Sequence, residues 1–285
     1  MMFKAARVII SLLIILPVLV IIISSIAGTL FNRTVSKEVK ELLDNSGGKK
    51  EVVTKADLAG LPPCVQKWLE NSQVVGKEKI KTVHLKPKAL MRLEPGKPWM
   101  PVEAEQYFRV DQPGFIWQAR VKMAPLFYLT GRDKYYKGKG QMLIKALSLV
   151  NIVNSSGKEI DQGSMLRYLA ESIWFPTAAL SEYIKWEEID SHSARATMTY
   201  RGTTASGVFT FNEQGEPVKF AAKRYKETRG TYELTDWGGK NSTEFREFNG
   251  IRIPAKGEVF WKLTTGDFNW YHWEITDIQY NEPLV

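Results

Sequence analysis

Trp117-Gln118-Ala119-Arg120-Val121-Lys122-Met123 alternates apolar and polar residues without a break. Successive side chains of an extended chain point to opposite faces, so Trp117, Ala119, Val121 and Met123 form a dry face and Gln118, Arg120 and Lys122 a wet one. Further along, Ala194, Ala196, Met198 and Tyr200 alternate with Arg195, Thr197 and Thr199. Ile251, Ile253, Ala255, Val259 and Trp261 share one parity, and Arg252, Lys256, Glu258 and Lys262 take the other. Strands of this kind belong to antiparallel sheets with one solvated face. Turn signals at Gln112-Pro113-Gly114, Glu213-Gln214-Gly215 and Asn249-Gly250 punctuate them. The template predicts roughly ten strands, and a sheet that large tends to curl. The expected fold is α+β: a large curved antiparallel β-sheet, half-barrel-like, with a few covering helices.

Two helical stretches interrupt the alternation. Pro62 and Pro63 suit a first helical turn, after which Val65, Trp68 and Leu69 recur at i, i+3 and i+4. Cys64 in that turn reads as a small apolar filler or a reactive thiol. Ser164 is the expected cap of a second helix carrying Leu166, Leu169, Ala170 and Ile173 on one stripe, ended by Pro176 and followed by a short helical turn over residues 177–183. A helix midway through such a sheet packs naturally on its concave face.

Residues 8–31, VIISLLIILPVLVIIISSIAGTLF, run 24 positions without a charge. As a helix they rise ~36 Å, enough to cross a hydrocarbon layer of ~30 Å with some tilt. A cleaved signal peptide is the alternative, but its apolar region would be unusually long and Ser25-Ile26-Ala27-Gly28 is a poor cleavage site. Lys4 and Arg7 on one side nearly balance Arg33, Lys37 and Lys40 on the other. The expected plan is a transmembrane anchor (1–34), a polar tether (35–60) centred on Asn45-Ser46-Gly47-Gly48-Lys49-Lys50, and one β-rich domain (61–285) on the extracytoplasmic side. The membrane is then the first partner of the chain.

The 285 residues carry 39 Lys+Arg and 31 Asp+Glu, a net charge of +8. That charge is spread along the chain, so no nucleic-acid partner is expected. At 44% hydrophobic and 25% charged residues the composition excludes wholesale disorder. One cysteine excludes an intrachain disulfide, and the scattered His84, His192 and His272 argue against a histidine-built metal site. Neither a metal nor a cofactor is expected. G-x-S-x-G, H-E-x-x-H and dinucleotide fingerprints are absent from the sequence.

Arg167 and Glu171 lie four apart on the expected helix and can touch, with Trp174 one turn on. They read either as a buried acid tuned by its arginine at a pocket mouth or as an ion pair that orients the helix. Arg132 and Asp133 lie in the segment Gly131-Arg132-Asp133-Lys134-Tyr135-Tyr136-Lys137-Gly138-Lys139-Gly140. It reads as an anion cradle or as a basic hairpin. Lys77, Lys79, Lys81, Lys86 and Lys88 read as a headgroup-facing patch or as protection of an edge strand. Trp117, Trp174, Trp237, Trp261, Trp270 and Trp273 line an apolar cavity or fill a core.

Several strings resemble a bacterial family known only as a domain of unknown function. They are Leu61-Pro62 with Val65 and Trp68-Leu69-Glu70, then Gly96-Lys97-Pro98-Trp99, Ala104-Glu105-Gln106-Tyr107-Phe108 and Pro113-Gly114-Phe115-Ile116-Trp117. Gly131-Arg132-Asp133, Tyr136 and Gly138-Lys139-Gly140 continue the likeness. Arg167-Tyr168-Leu169-Ala170-Glu171, Trp174-Phe175-Pro176-Thr177-Ala178 and Asn249-Gly250-Ile251-Arg252-Ile253-Pro254 complete it. The family brings no assigned reaction. The order of strands and helix also resembles, in architecture alone, the half-barrels of periplasmic lipoprotein carriers, which bind acyl chains between a concave sheet and its covering helices. The expected function is an anchored extracytoplasmic module that binds a lipid or other apolar ligand at Arg167, Glu171, Trp174, Arg132, Asp133 and Trp117. The alternatives are an envelope hydrolase or transferase using Glu171 and Arg167, and a structural partner of another membrane protein.

Overall fold

The computed structural model describes residues 2–44, 46 and 50–282, with side chains from Ile15 onward. Helix α1 (Met2–Leu43) is followed by α2 (Pro63–Asn71) and six strands: β1 (Thr82–Met91), β2 (Met100–Arg109), β3 (Gly114–Ala124), β4 (Phe127–Tyr136), β5 (Lys139–Ala146) and β6 (Val150–Ser156). Helix α3 (Lys158–Glu171) and 3-10 turns at Ser172–Trp174 and Pro176–Leu180 come next. The chain then forms β7 (Ile184–Asp190), β8 (Ser193–Tyr200), β9 (Thr203–Phe211), β10 (Pro217–Thr228), β11 (Thr231–Asn241), β12 (Phe245–Phe248), β13 (Ile251–Pro254), β14 (Lys256–Leu263) and β15 (Gly266–Tyr280).

Thirteen of these strands make one sheet in the order β6-β5-β4-β3-β2-β1-β15-β14-β11-β10-β9-β8-β7, and β12 and β13 pair separately. The sheet is antiparallel throughout and curls into a half-barrel. The extra strands beyond the expected ten include exposed ones such as β7 and much of β10–β11, where both faces carry polar residues and alternation leaves no mark. β1 is central, between β2 and β15, so its lysines guard no edge. Pro87, which cannot donate to a ladder, sits where the β1–β15 register shifts. The edges are β6 and β7, and the chain joins them through α3. That connection carries the helix across the open side of the curl and lays it on the concave face.

Phe108, Phe115 and Tyr135 of the concave face are fully buried against Tyr168 of α3 and Phe175. From α2, Trp68 stacks on Phe209 with ring centres 6.0 Å apart. Helix α3 begins six residues before the expected cap: Ser164 is interior, while Asp161 of the first turns is buried and accepts a hydrogen bond from the Gly140 amide at 2.7 Å. Asp161 serves the β4–β5 hairpin, binding Lys139 as well as Gly140, and no apolar stripe announces this first part of the helix.

The stretch expected to begin a tether at Val35 is helical to Leu43. Phe31, Val35, Val39 and Leu42 are buried against Ile116 on the convex side of the sheet, and Lys134 donates to Glu38 at 2.6 Å. The Gly47-Gly48-Lys49 centre of the expected tether, and the side chains of Lys4 and Arg7, lie outside the described residues. Among the described residues, one helix, Ile15–Leu43, is long and apolar enough to cross a membrane.

Candidate functional site

Between α3 and the concave face lies a cavity of about 650 Å³, within the ~300–1,000 Å³ usual for small-molecule sites. Its walls come from Trp117 and Ala119 of β3, Phe220 of β10, Trp237 of β11, Val259 and Trp261 of β14, and Tyr271 and Trp273 of β15. Ile160, Gly163 and Ala170 of α3 roof it, with Ile173 and Trp174 beyond the helix end. The alternation that makes one side of each strand apolar is what paints this interior. Trp174 packs edge-on against Trp273 at 5.0 Å, and its main-chain oxygen accepts from the Tyr280 hydroxyl at 2.7 Å.

A polar row crosses the lining. Arg167 Nε donates to Glu171 Oε1 at 2.9 Å and Arg167 Nη1 to Asp133 Oδ2 at 2.7 Å. Gln106 Nε2 donates to the other Glu171 oxygen at 2.7 Å. The Arg167 guanidinium lies 4.9 Å from the Phe115 ring centre and 5.2 Å from that of Trp117. Burial pushes the Glu171 carboxyl above its ordinary value despite the arginine beside it. The row's charged groups satisfy one another, which is what a buried ion cluster requires.

All six residues singled out in the sequence border this cavity: Arg167, Glu171, Trp174, Asp133, Trp117 and Arg132. Arg132 turns its side chain away from the other five. It is next to Asp133 on one strand, so its side chain points to the opposite face, where Nε pairs with Glu38 of α1 at 3.2 Å and Nη2 donates to Gln141 at 2.9 Å. The anion-cradle reading of that segment is corrected accordingly. It is a tight hairpin, turning at Lys137 and Gly138 with φ of 51° and 79°, and its cations Arg132, Lys134 and Lys139 are paired with Glu38 and Asp161. Cys64 is buried, and desolvation pushes its thiol up, away from reactivity. Among the described residues no group of three or more His, Cys, Asp or Glu is placed to hold a metal.

Two polar residues, Gln106 and Arg224, were not singled out in the sequence. Arg224 on β10 reaches in beside Trp237, its guanidinium 4.8 Å from the ring centre. Gly163 of α3 leaves it room, since a Cβ there would lie 3.2 Å from Nε. The signal was available: Arg224 shares the parity of Phe220 and Ala222, an apolar set in which a cation is out of place.

Residues 51–273 match the model of a family of unknown function, DUF6544. The chain belongs to that family. No curated protein matches the sequence. Among solved structures, the fold is similar to a putative outer membrane lipoprotein-sorting protein domain from Vibrio parahaemolyticus, with 8% identity, 72% of this chain and 87% of that one covered, and a TM-score of 0.41. It is also similar to a DUF1329 family protein from Desulfovibrio piger, with 12% identity, 82% and 96% covered, and a TM-score of 0.44.

Proposed function

We propose that this DUF6544 protein is a membrane-anchored module that holds a lipid or other apolar ligand inside its half-barrel. The observation that carries the reading is the roofed cavity, about 650 Å³ and walled by Trp117, Trp237, Trp261 and Trp273. A void of that size in a close-packed interior forfeits contacts that a hydrocarbon guest restores.

The placement of α1 supports a membrane source for the guest. Ser24 hydrogen-bonds to the Tyr128 hydroxyl and the Leu147 carbonyl, at the β3–β4 and β5–β6 turns. The part of the apolar run that projects past the body, residues 8–23, rises only ~24 Å, short of a ~30 Å hydrocarbon layer. Crossing therefore draws the turns themselves to the bilayer. These turns expose Leu126, Phe127, Leu149, Val150 and Ile152, and the neighbouring β1–β2 turn, which also borders the cavity, exposes Leu93. On this reading the body lies on the extracytoplasmic side.

Native mass spectrometry of the full chain, purified from bacterial membranes and released from a neutral detergent, tests this. A reproducible adduct of lipid mass is expected, lost in A170W, which fills the cavity from its roof. A bare-chain mass, unchanged after incubation with mixed membrane lipids, would overturn the reading.

A further inference from the structure

Arg224 differs from Arg167, its neighbour in the concave interior. Arg167 has two carboxylates within 2.9 Å. Among the described residues Arg224 has no ion pair and no hydrogen bond; Asp133 and Glu171 act on it only at longer range, and Arg167 repels it. Its guanidinium rests on the face of Trp237 and beside Gly163. Burial lowers its pKa to about 10, which leaves it charged at neutral pH. An unpaired guanidinium against an apolar cavity is a costly arrangement unless an anion completes it. The lining makes the same demand elsewhere. The indole N–H groups of Trp174, Trp237 and Trp270 are buried without acceptors, so among the described residues each buried side-chain polar atom of the lining left unmatched is a donor. Of the lining carboxylates, Asp133 and Glu171 are held by Arg167, Glu94 and Glu227 are exposed, and Glu159 is half-buried.

We propose that the ligand is an amphiphile with an anionic head, a carboxylate or a phosphate monoester, whose oxygens meet Arg224 while its hydrocarbon chain lies along Trp117, Trp261 and Trp273. A planar guanidinium binds either group through paired N–H donors. Gly163 and Trp237 fix where that fork stands. The assignment rests on the lipid-site reading and specifies which lipids fill it.

The test is native mass spectrometry of the full chain in a neutral detergent, offered equal amounts of palmitate, monohexadecyl phosphate and hexadecanol. The two anions are expected to be retained at least about tenfold over the alcohol, the equivalent of ~1.4 kcal/mol. R224Q should bring the three to parity while still retaining the alcohol, and R224K should keep most of the preference. R224M, by removing a buried unpaired charge, should raise the melting temperature of the empty protein, whereas a purely structural arginine would lower it. G163A keeps the charge but crowds Nε, and is expected to weaken the preference. It serves as the deciding variant if R224Q does not fold. Equal retention of all three probes by the wild-type chain would overturn the anionic head and leave the cavity standing. Retention of none would overturn the lipid site itself. A preference that survives both R224Q and G163A would overturn the assignment to Arg224.

Discussion

Gln106 and Arg167 each donate to a different oxygen of Glu171, and Arg167 also holds Asp133. Removing the arginine alone would strand two carboxylates in the interior. R167M is therefore predicted to cost ~3–5 kcal/mol in chemical denaturation, as breaking a buried ion pair does. E171Q should cost less, because it leaves Arg167 paired with Asp133 and removes a charge that burial disfavours. The native state binds the Glu171 proton more tightly than the unfolded chain does, so that group's contribution to stability falls as pH rises past the ordinary carboxylate range. E171Q should remove that decline. Glu105 on the convex side has the opposite sign. The hydrogen bond with His84 at 2.7 Å, with help from Tyr107 and Lys86, holds its pKa down to about 2 from 4.5. Its stabilisation is full above the ordinary value and lost as pH falls toward 2. E105Q should flatten that part of the acid-unfolding curve. The Arg167–Glu171 pair was readable from helical spacing. Gln106 was not, because its strand meets α3 only through the fold. Arg132 and Asp133 direct their side chains to opposite faces of β4, as strand alternation requires, a rule the sequence already contained.

Helix α1 changes character along its length, from membrane-like near Ile15 to an amphipathic clamp at Val35, Val39 and Leu42. Those three recur at i, i+4 and i+7, a helical stripe hidden among charged neighbours. Composition suggested a tether there; period would have suggested a docked helix. V39D places a charge against Ile116 and is predicted to release the clamp, read as new protease cleavage before Val53 with the β-domain left intact. The strands were legible wherever one face is dry, as in β3 and β8. The start of α3 was not, because Asp161 answers to Gly140 and Lys139 and the residues around it carry no apolar stripe.

At the scale of the whole molecule, a sheet whose two edges are joined by the helix lying across its mouth encloses a cavity by construction. Sequence alternation implied the curl and the concave helix, but not the volume left between them, which depends on how side chains from many strands share one interior. The exposed apolar turns beside α1 predict how the body sits on the bilayer. A nitroxide at L126C, in the full chain reconstituted in vesicles, should be more accessible to oxygen than to a water-soluble nickel chelate, and the reverse would place the turns in solvent. The central claim is that hydrocarbon enters the half-barrel. Photo-crosslinking the reconstituted full chain with a phospholipid carrying a diazirine on its acyl chain tests it most directly. Labelled peptides are expected from α1 and also from β3, β11 and β15, around Trp117, Trp237 and Trp273, and A170W should abolish the strand labels alone. Labelling confined to α1 would contradict the account.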